Sequence, residues 1–199
     1  ASSGIPMFDV VTCANPRNLS EMDELRELLR ELGVGQWRIF SIFPKGRARD
    51  NAELLLGEDG TRDLVRWIAR ARRESGPDDI AISWSCEGYF PADIGRAIRD
   101  EPYFCRAGIS IGSVLCDGSI SACPNLSREL VQGNVLEDDL HKVWVEKFEA
   151  FRHREWMRTG ECEGCGEWKR CLGNSLHLWD DESRRTARCF YSVCSGMEL

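Results

Sequence analysis

The sequence predicts an α/β unit on a short parallel sheet, followed by a small, loop-rich α+β domain with a β-hairpin, a helix and cysteine ligands. Three observations predict it. The first hundred residues alternate apolar, β-rich runs with amphipathic helical stretches, an Asp-Gly hairpin signal follows, and nine of the ten cysteines lie in the last 114 residues. Strands that alternate with helices imply parallel pairing through crossover connections. With 42% apolar residues and seven Trp in 199 residues, there is material for a packed core.

Phe8-Asp-Val-Val-Thr-Cys13 reads as the first strand. A helix follows, with Ser20 as its cap and a stripe of Met22, Leu25, Leu28, Leu29 and Leu32, and Gly33 ends it. Trp37 to Phe43 is the second strand, stopped by Pro44 and Gly46. The next helix is expected from about Thr61, with Leu64, Trp67, Ile68 and Ala71 on one face. Ile80 to Cys86 is the third strand, and a short helix over Pro91 to Arg99 completes the series. Three such units do not close a barrel. Their sheet leaves an edge and a face that another segment or chain must cover.

After Cys105 the texture changes. Ile109 to Cys116, the turn Asp117-Gly118 and Ser119 to Cys123 predict a hairpin, because Asp-Gly favours the positive-φ turn that matches strand twist. Cys116 then stands beside the turn and Cys123 at the far end. A helix is expected from Glu137 to His153, with Leu140, Val143, Trp144, Phe148 and Phe151 as its core stripe. Gly160 to Cys194 has few periodic positions, so metal rather than apolar burial is expected to hold it. The expected domains are residues 1–103 and 104–199.

Composition excludes several functions. A net charge of −7 disfavours nucleic acid, whose phosphates call for a basic face. No run approaches the ~20 apolar residues of a membrane span, and Ala1-Ser-Ser-Gly4 lacks the character of a signal peptide. The expected location is therefore cytoplasmic, where thiols stay reduced and available to metal. No Gly-x-Ser-x-Gly, phosphate loop or dinucleotide fingerprint is present.

The cysteines carry the positive signal. Cys105-x12-Gly118-x4-Cys123, then Cys162-x2-Cys165-x5-Cys171, then Cys189 is a metal-cluster framework: short spacings gather thiolates at little closure cost, and a distant cysteine completes the shell. Soft, anionic sulfur matches iron. Zinc is the rival, through Cys162-x2-Cys165 paired with Cys189-x4-Cys194, although Cys105, Cys123 and Cys171 then have no role. Cys13, isolated in an apolar strand, reads as a buried or unpaired thiol.

These motifs resemble the SPASM extension of radical S-adenosylmethionine (SAM) proteins, which houses auxiliary iron-sulfur clusters. The residues that carry the resemblance are Cys105-Arg-Ala-Gly108, Asp117-Gly-Ser-Ile-Ser-Ala-Cys-Pro124, Gly133-Asn134 before a helix with Trp144, and Cys162-Glu-Gly-Cys-Gly-Glu-Trp-Lys-Arg-Cys171. Upstream, Val10-Val-Thr12 with Asn18 and Phe43-Pro-Lys-Gly-Arg-Ala48 look like later strands of the radical SAM partial (β/α) barrel, and the nearest likeness is to a subgroup associated with lipoprotein-type gene systems. The resemblance implies a fragment of that barrel before the SPASM domain, one or two 4Fe-4S clusters, and a peptide or protein substrate. It assigns Cys162, Cys165, Cys171 and Cys189 to the second auxiliary cluster. Cys105 and Cys123, with Cys116 as a third, fall to the first.

Two departures qualify it. No Cys-x3-Cys-x2-Cys exists in these residues, so SAM would be bound only in a complete enzyme, with Arg47 a candidate contact, and the chain is not expected to start the reaction alone. Ser175 stands where the family has a further cysteine, which leaves Cys86, His177, Ser175 as alkoxide, water or substrate for the first cluster's last place. Backbone beside Gly164, Gly166 and Gly173 is expected to approach the ligand sulfurs. Glu87 at a strand end could face the cavity, while His141 and His153 are expected in solvent. The alternative to an enzyme part is a non-catalytic binding scaffold with structural zinc or a single cluster.

Overall fold

The computed structural model describes residues 8–86 and 88–199; Glu87, named above as a strand-end carboxylate, lies outside the described residues. Two compact units form, one running to Tyr103 and taking up Cys189–Leu199, the other spanning Phe104–Arg188. The sequence reading places Cys189–Leu199 in the second domain. The structure corrects this: α7 (Phe190–Cys194) packs on α2 (Glu58–Glu74) of the first unit, where Arg62 Nε donates to the Val193 carbonyl at 2.8 Å.

The first unit holds the expected parallel sheet, in the order β1 (Asp9–Ala14), β2 (Gln36–Ser41), β3 (Ala81–Trp84). Val10 pairs with Trp37 and Trp37 with Ile82, so the alternating side chains of β2 share a register with both neighbours. Trp37, Ile39, Ile82 and Trp84 form the buried face, with Leu64, Val65 and Ile68 of α2 in the same core. Trp84 meets Phe90 and Phe190 edge-on at 5.1 and 5.5 Å. The short helix α3 (Ala92–Ile98) buries Ile94 and Ile98. Among the described residues β1 and β3 remain the sheet edges, and Val11 is half exposed.

Helix α1 (Met22–Glu31) departs from the expected stripe. A 3-10 turn, Leu19–Glu21, leads into it, so Ser20 lies inside that turn and makes no cap. Leu28 and Leu32 are exposed, and Arg26 takes a buried place instead. Its guanidinium reaches Glu74 at 3.0 Å, Ser75 Oγ at 3.0 Å, the Ala71 carbonyl at 3.2 Å and Asp79 at 3.4 Å. A buried cation survives because carboxylates and hydrogen bonds meet it there. Helix α2 begins three residues before Thr61, since Glu58 and Asp59 favour the positive N-terminal end of its dipole.

In the second unit, β4 (Ser113–Val114), β5 (Ser119–Ser121) and β6 (Gly133–Asn134) form an antiparallel sheet. The hairpin is present, but its loop has three residues, Cys116-Asp117-Gly118. Gly118 N–H donates to the Leu115 carbonyl at 2.9 Å, and Gly118 takes φ +82°. A Cβ there would come within 2.5 Å of Asn134 Oδ1, so turn and third strand both require glycine.

The expected helix starts later than Glu137, because Asp139 Oδ1 caps it by accepting from the Lys142 N–H at 2.8 Å. It runs as α4 (Leu140–Lys142), a π-helical turn (Val143–Lys147) and α5 (Glu149–Arg152). The wider turn breaks the 3.6 repeat. Val143, Phe148 and Phe151 are buried as expected, whereas Leu140 is 49% exposed. These residues share a core with Ala107, Ile120, Ala122, Met157, Trp168, Leu176 and Trp179.

Residues 173–179 are buried without interruption, so apolar packing does organise the segment expected to depend on metal. Leu172, Gly173 and Asn174 all have positive φ and turn the chain sharply into that core, after which β7 (Trp179–Asp180) pairs with β8 (Arg185–Thr186). No helix among the described residues is long and apolar enough to cross a membrane.

The fold makes one thiol a pH probe. Cys194 in α7 is 0% exposed, and burial pushes its thiol from 9.0 up to about 11, against the pull of Arg62 and Arg66. Because its folded pKa is raised, stability should fall as pH rises from 9 to 11, where the unfolded thiol ionises and the folded one does not. Comparing chemical unfolding of the wild type and Cys194→Ala should show a shallower decline in the variant, by at most about 1.4 kcal/mol per pH unit. Equal slopes would contradict this.

Candidate metal centre

Three short segments build the site in the second unit. The first contains Cys105 and turns at Gly108, where the N–H groups of Ile109, Ser110 and Ile111 all donate to the Arg106 carbonyl. Gly108 has φ +76°, and a Cβ on it would lie 2.2 Å from Cβ of Phe151. Gly108→Ala therefore combines backbone strain with overpacking. A loss of at least about 2 kcal/mol is expected in urea unfolding, and a change under 0.5 kcal/mol would contradict the close approach.

The second segment leaves β5 and turns at Cys123, whose carbonyl accepts from Leu126 N–H at 3.2 Å. Burial is the main cause that raises the Cys123 thiol above its usual value, and neighbouring Cys105 adds to it, while a hydrogen bond from the Asn125 backbone N–H opposes both. Cys105 and Cys123 pack against the same core. Two such thiolates repel unless a cation joins them, and a metal reverses the balance by holding thiols deprotonated.

The third segment is a chain of tight turns. The N–H of Cys165 donates to the Cys162 carbonyl and that of Trp168 to the Cys165 carbonyl, both at 3.3 Å, before α6 (Trp168–Cys171). Trp168 anchors the segment in the core and donates through Nε1 to Glu155 at 2.7 Å. Cys105, Cys123 and Cys162 all pack against that one core. In the first unit Cys189 caps α7, accepting at sulfur from the Ser192 N–H at 3.4 Å. Such N–H···S bonds favour thiolate and tune the potential of a bound cluster.

Fit to an iron-sulfur cluster rests on this donor set and on Ser121 Oγ, a buried hydroxyl two residues before Cys123 that has no hydrogen-bond partner. Among the described residues, no three Cys, His, Asp or Glu side chains gather as the ligands of a single ion. No disulfide is formed among the described cysteines.

Other candidates fall elsewhere. Cys116 is exposed in the hairpin turn, at the end away from Cys123, on the order of 15 Å along the strand. Strand pairing fixes that separation, in agreement with the hairpin expected from the sequence. Ser175 and His177 are both buried, on the inner run 173–179. His141 and His153 are exposed, and His153 pairs with Glu149 at 3.2 Å. Arg47 is exposed in a 3-10 turn beyond β2, and Cys86, exposed with φ +71°, follows β3.

A Cβ on Gly164 or Gly166 would meet nothing within 4 Å, so close packing is not what places glycine there, whereas at Gly173 it would meet Met157. Cys194, which the zinc reading requires, sits inside the first unit's core as a thiol hard to ionise. Sequence reasoning missed Arg154. It is 3% exposed and donates to the carbonyls of Cys105 at 2.9 Å, Ala107 at 3.1 Å and Phe151 at 2.8 Å.

Comparison with known proteins agrees with the cysteine pattern. Residues 105–166 match SPASM, an iron-sulfur cluster-binding domain. An AdoMet-dependent heme synthase of Methanosarcina barkeri is 25% identical over 182 residues, covering 83% of this chain and 50% of that protein. The AdoMet-dependent heme synthase of Nitratidesulfovibrio vulgaris is 22% identical over 203 residues, covering 92% and 54%. The chain spans about half the length of these relatives. The resemblance to a C-terminal portion of radical SAM proteins with a SPASM domain is borne out.

Proposed function

We propose that this chain is the auxiliary-cluster part of a radical SAM enzyme that modifies a peptide or protein. When bound, 4Fe-4S clusters would supply one-electron redox chemistry to such a reaction. The convergence of Cys105, Cys123 and Cys162 on one core, inside the matched domain, carries the reading. Cys162, Cys165, Cys171 and Cys189 would hold a closed, four-thiolate carrier. Cys105 and Cys123 would hold the other cluster, with Ser175 in place of a thiolate leaving a place at which substrate can be engaged. The three-stranded sheet would continue a partial barrel supplied by another segment or chain, with SAM bound there and Arg47 as a contact. The work would be cytoplasmic, without nucleic acid or membrane.

A second reading of the substrate is favoured by the relatives' name, which points to heme rather than a peptide. Protein prepared without oxygen and reduced with dithionite should gain the paramagnetic signal of a reduced four-iron cluster and lose it on reoxidation. A bound cluster that takes up no electron, or zinc in its place, would leave the non-catalytic scaffold.

A further inference from the structure

The two most buried arginines are treated differently by the fold. Arg26 faces the carboxylates of Glu74 and Asp79. Arg154, the more deeply buried at 3% exposure, donates only to backbone carbonyls, and among the described residues no carboxylate pairs with it. Its acidic neighbours are engaged elsewhere, Glu149 with His153 and Glu155 with Trp168 and Arg158. Carbonyls accept three hydrogen bonds from the guanidinium but supply no counter-charge, and a permanently charged group buried without one is costly.

The missing anion has a natural source. Arg154 grips the carbonyl of Cys105, and Cys105 and Cys123 both pack against one core. We propose that Arg154 is the positioning residue and counter-charge of the thiolate-bound cluster at Cys105 and Cys123: it fixes the Cys105 backbone and stabilises the reduced, more negative state. This rests on the cluster reading above. Arg152 supplies an internal control, since it also grips carbonyls, of Gly108 at 3.2 Å and Trp144 at 2.5 Å, but is less buried.

The test is anaerobic redox titration of the whole chain as wild type, Arg154→Gln, Arg154→Lys and Arg152→Gln, with iron and sulfide measured on each. In Arg154→Gln the ratio of reduced to oxidised cluster at a fixed poise should fall roughly tenfold, the size expected for one unit charge acting through a protein interior. Arg154→Lys and Arg152→Gln should stay close to wild type. A wild-type potential in Arg154→Gln, or an equal fall in Arg154→Lys, would overturn the proposal. If Arg154→Gln assembles no cluster, Arg154→Lys decides: a cluster at the wild-type potential supports the counter-charge, and no cluster there shows that only the fork geometry matters. A wild-type chain with no iron and sulfide overturns the cluster reading and this inference with it.

Discussion

Alanine at Cys162 should remove about four iron and four sulfide from each chain, because one missing thiolate opens a shell of four. The expectation follows from the way the third segment is built. Each of Cys162 and Cys165 closes the turn that presents the next ligand, and Trp168 locks the series into the core. Cys162 also packs directly on that core, so the change leaves neighbouring ligands without their anchor. Cys116→Ala is the informative contrast. Cys116 lies exposed at the hairpin turn, and its removal should leave the metal content unchanged. Equal iron and sulfide in wild type and Cys162→Ala would contradict the assignment; loss in Cys116→Ala would return Cys116 to the first cluster.

Phe148→Ala should destabilise the second unit by about 3–5 kcal/mol, the usual cost of emptying a fully buried aromatic site. Phe148 is 0% exposed, leans on Trp144 at 5.0 Å and meets Phe151 edge-on at 5.1 Å. The same core carries Cys105, Cys123 and Cys162, so cluster retention should fall with stability. Leu136→Ala, at a position 84% exposed, should change stability by under about 0.5 kcal/mol. Denaturant unfolding distinguishes the two, and a loss under about 1 kcal/mol for Phe148→Ala would mean that this core does not support the site.

Local pattern carried the parts of the fold that local physics decides. The strands around Val10, Trp37 and Ile82 were legible because alternating or continuous apolar runs can be buried in few ways, and their parallel order followed from the intervening helices. Gly118 signalled a hairpin, but the exact loop depended on a hydrogen bond from its own N–H to Leu115 that composition does not specify. The π-helical turn after Lys142 was illegible, since a single wider turn leaves no periodic trace over so short a helix.

Tertiary context decided the rest. Cys189–Leu199 read as the end of the cysteine-rich domain, yet Phe190 and Cys194 find their apolar partners in the first unit. The burial of 173–179 was hidden by its mixed polarity and by three successive positive-φ residues that no simple turn rule anticipates. At the site, cysteine spacing was readable because Cys162 and Cys165 are linked by local turns. The separation of Cys116 from Cys123 was legible in the Asp-Gly hairpin signal, whereas the Cys105 and Ala107 carbonyls that Arg154 reaches lie 49 and 47 residues away in sequence and leave no local trace.

The central claim is that these thiolates hold iron and sulfide. Its most direct test is anaerobic purification of the chain, with iron, acid-labile sulfide and zinc determined per molecule. About four of each of iron and sulfide is expected with one site filled, and about eight with both. Stoichiometric zinc without sulfide, in protein never exposed to air, would contradict it.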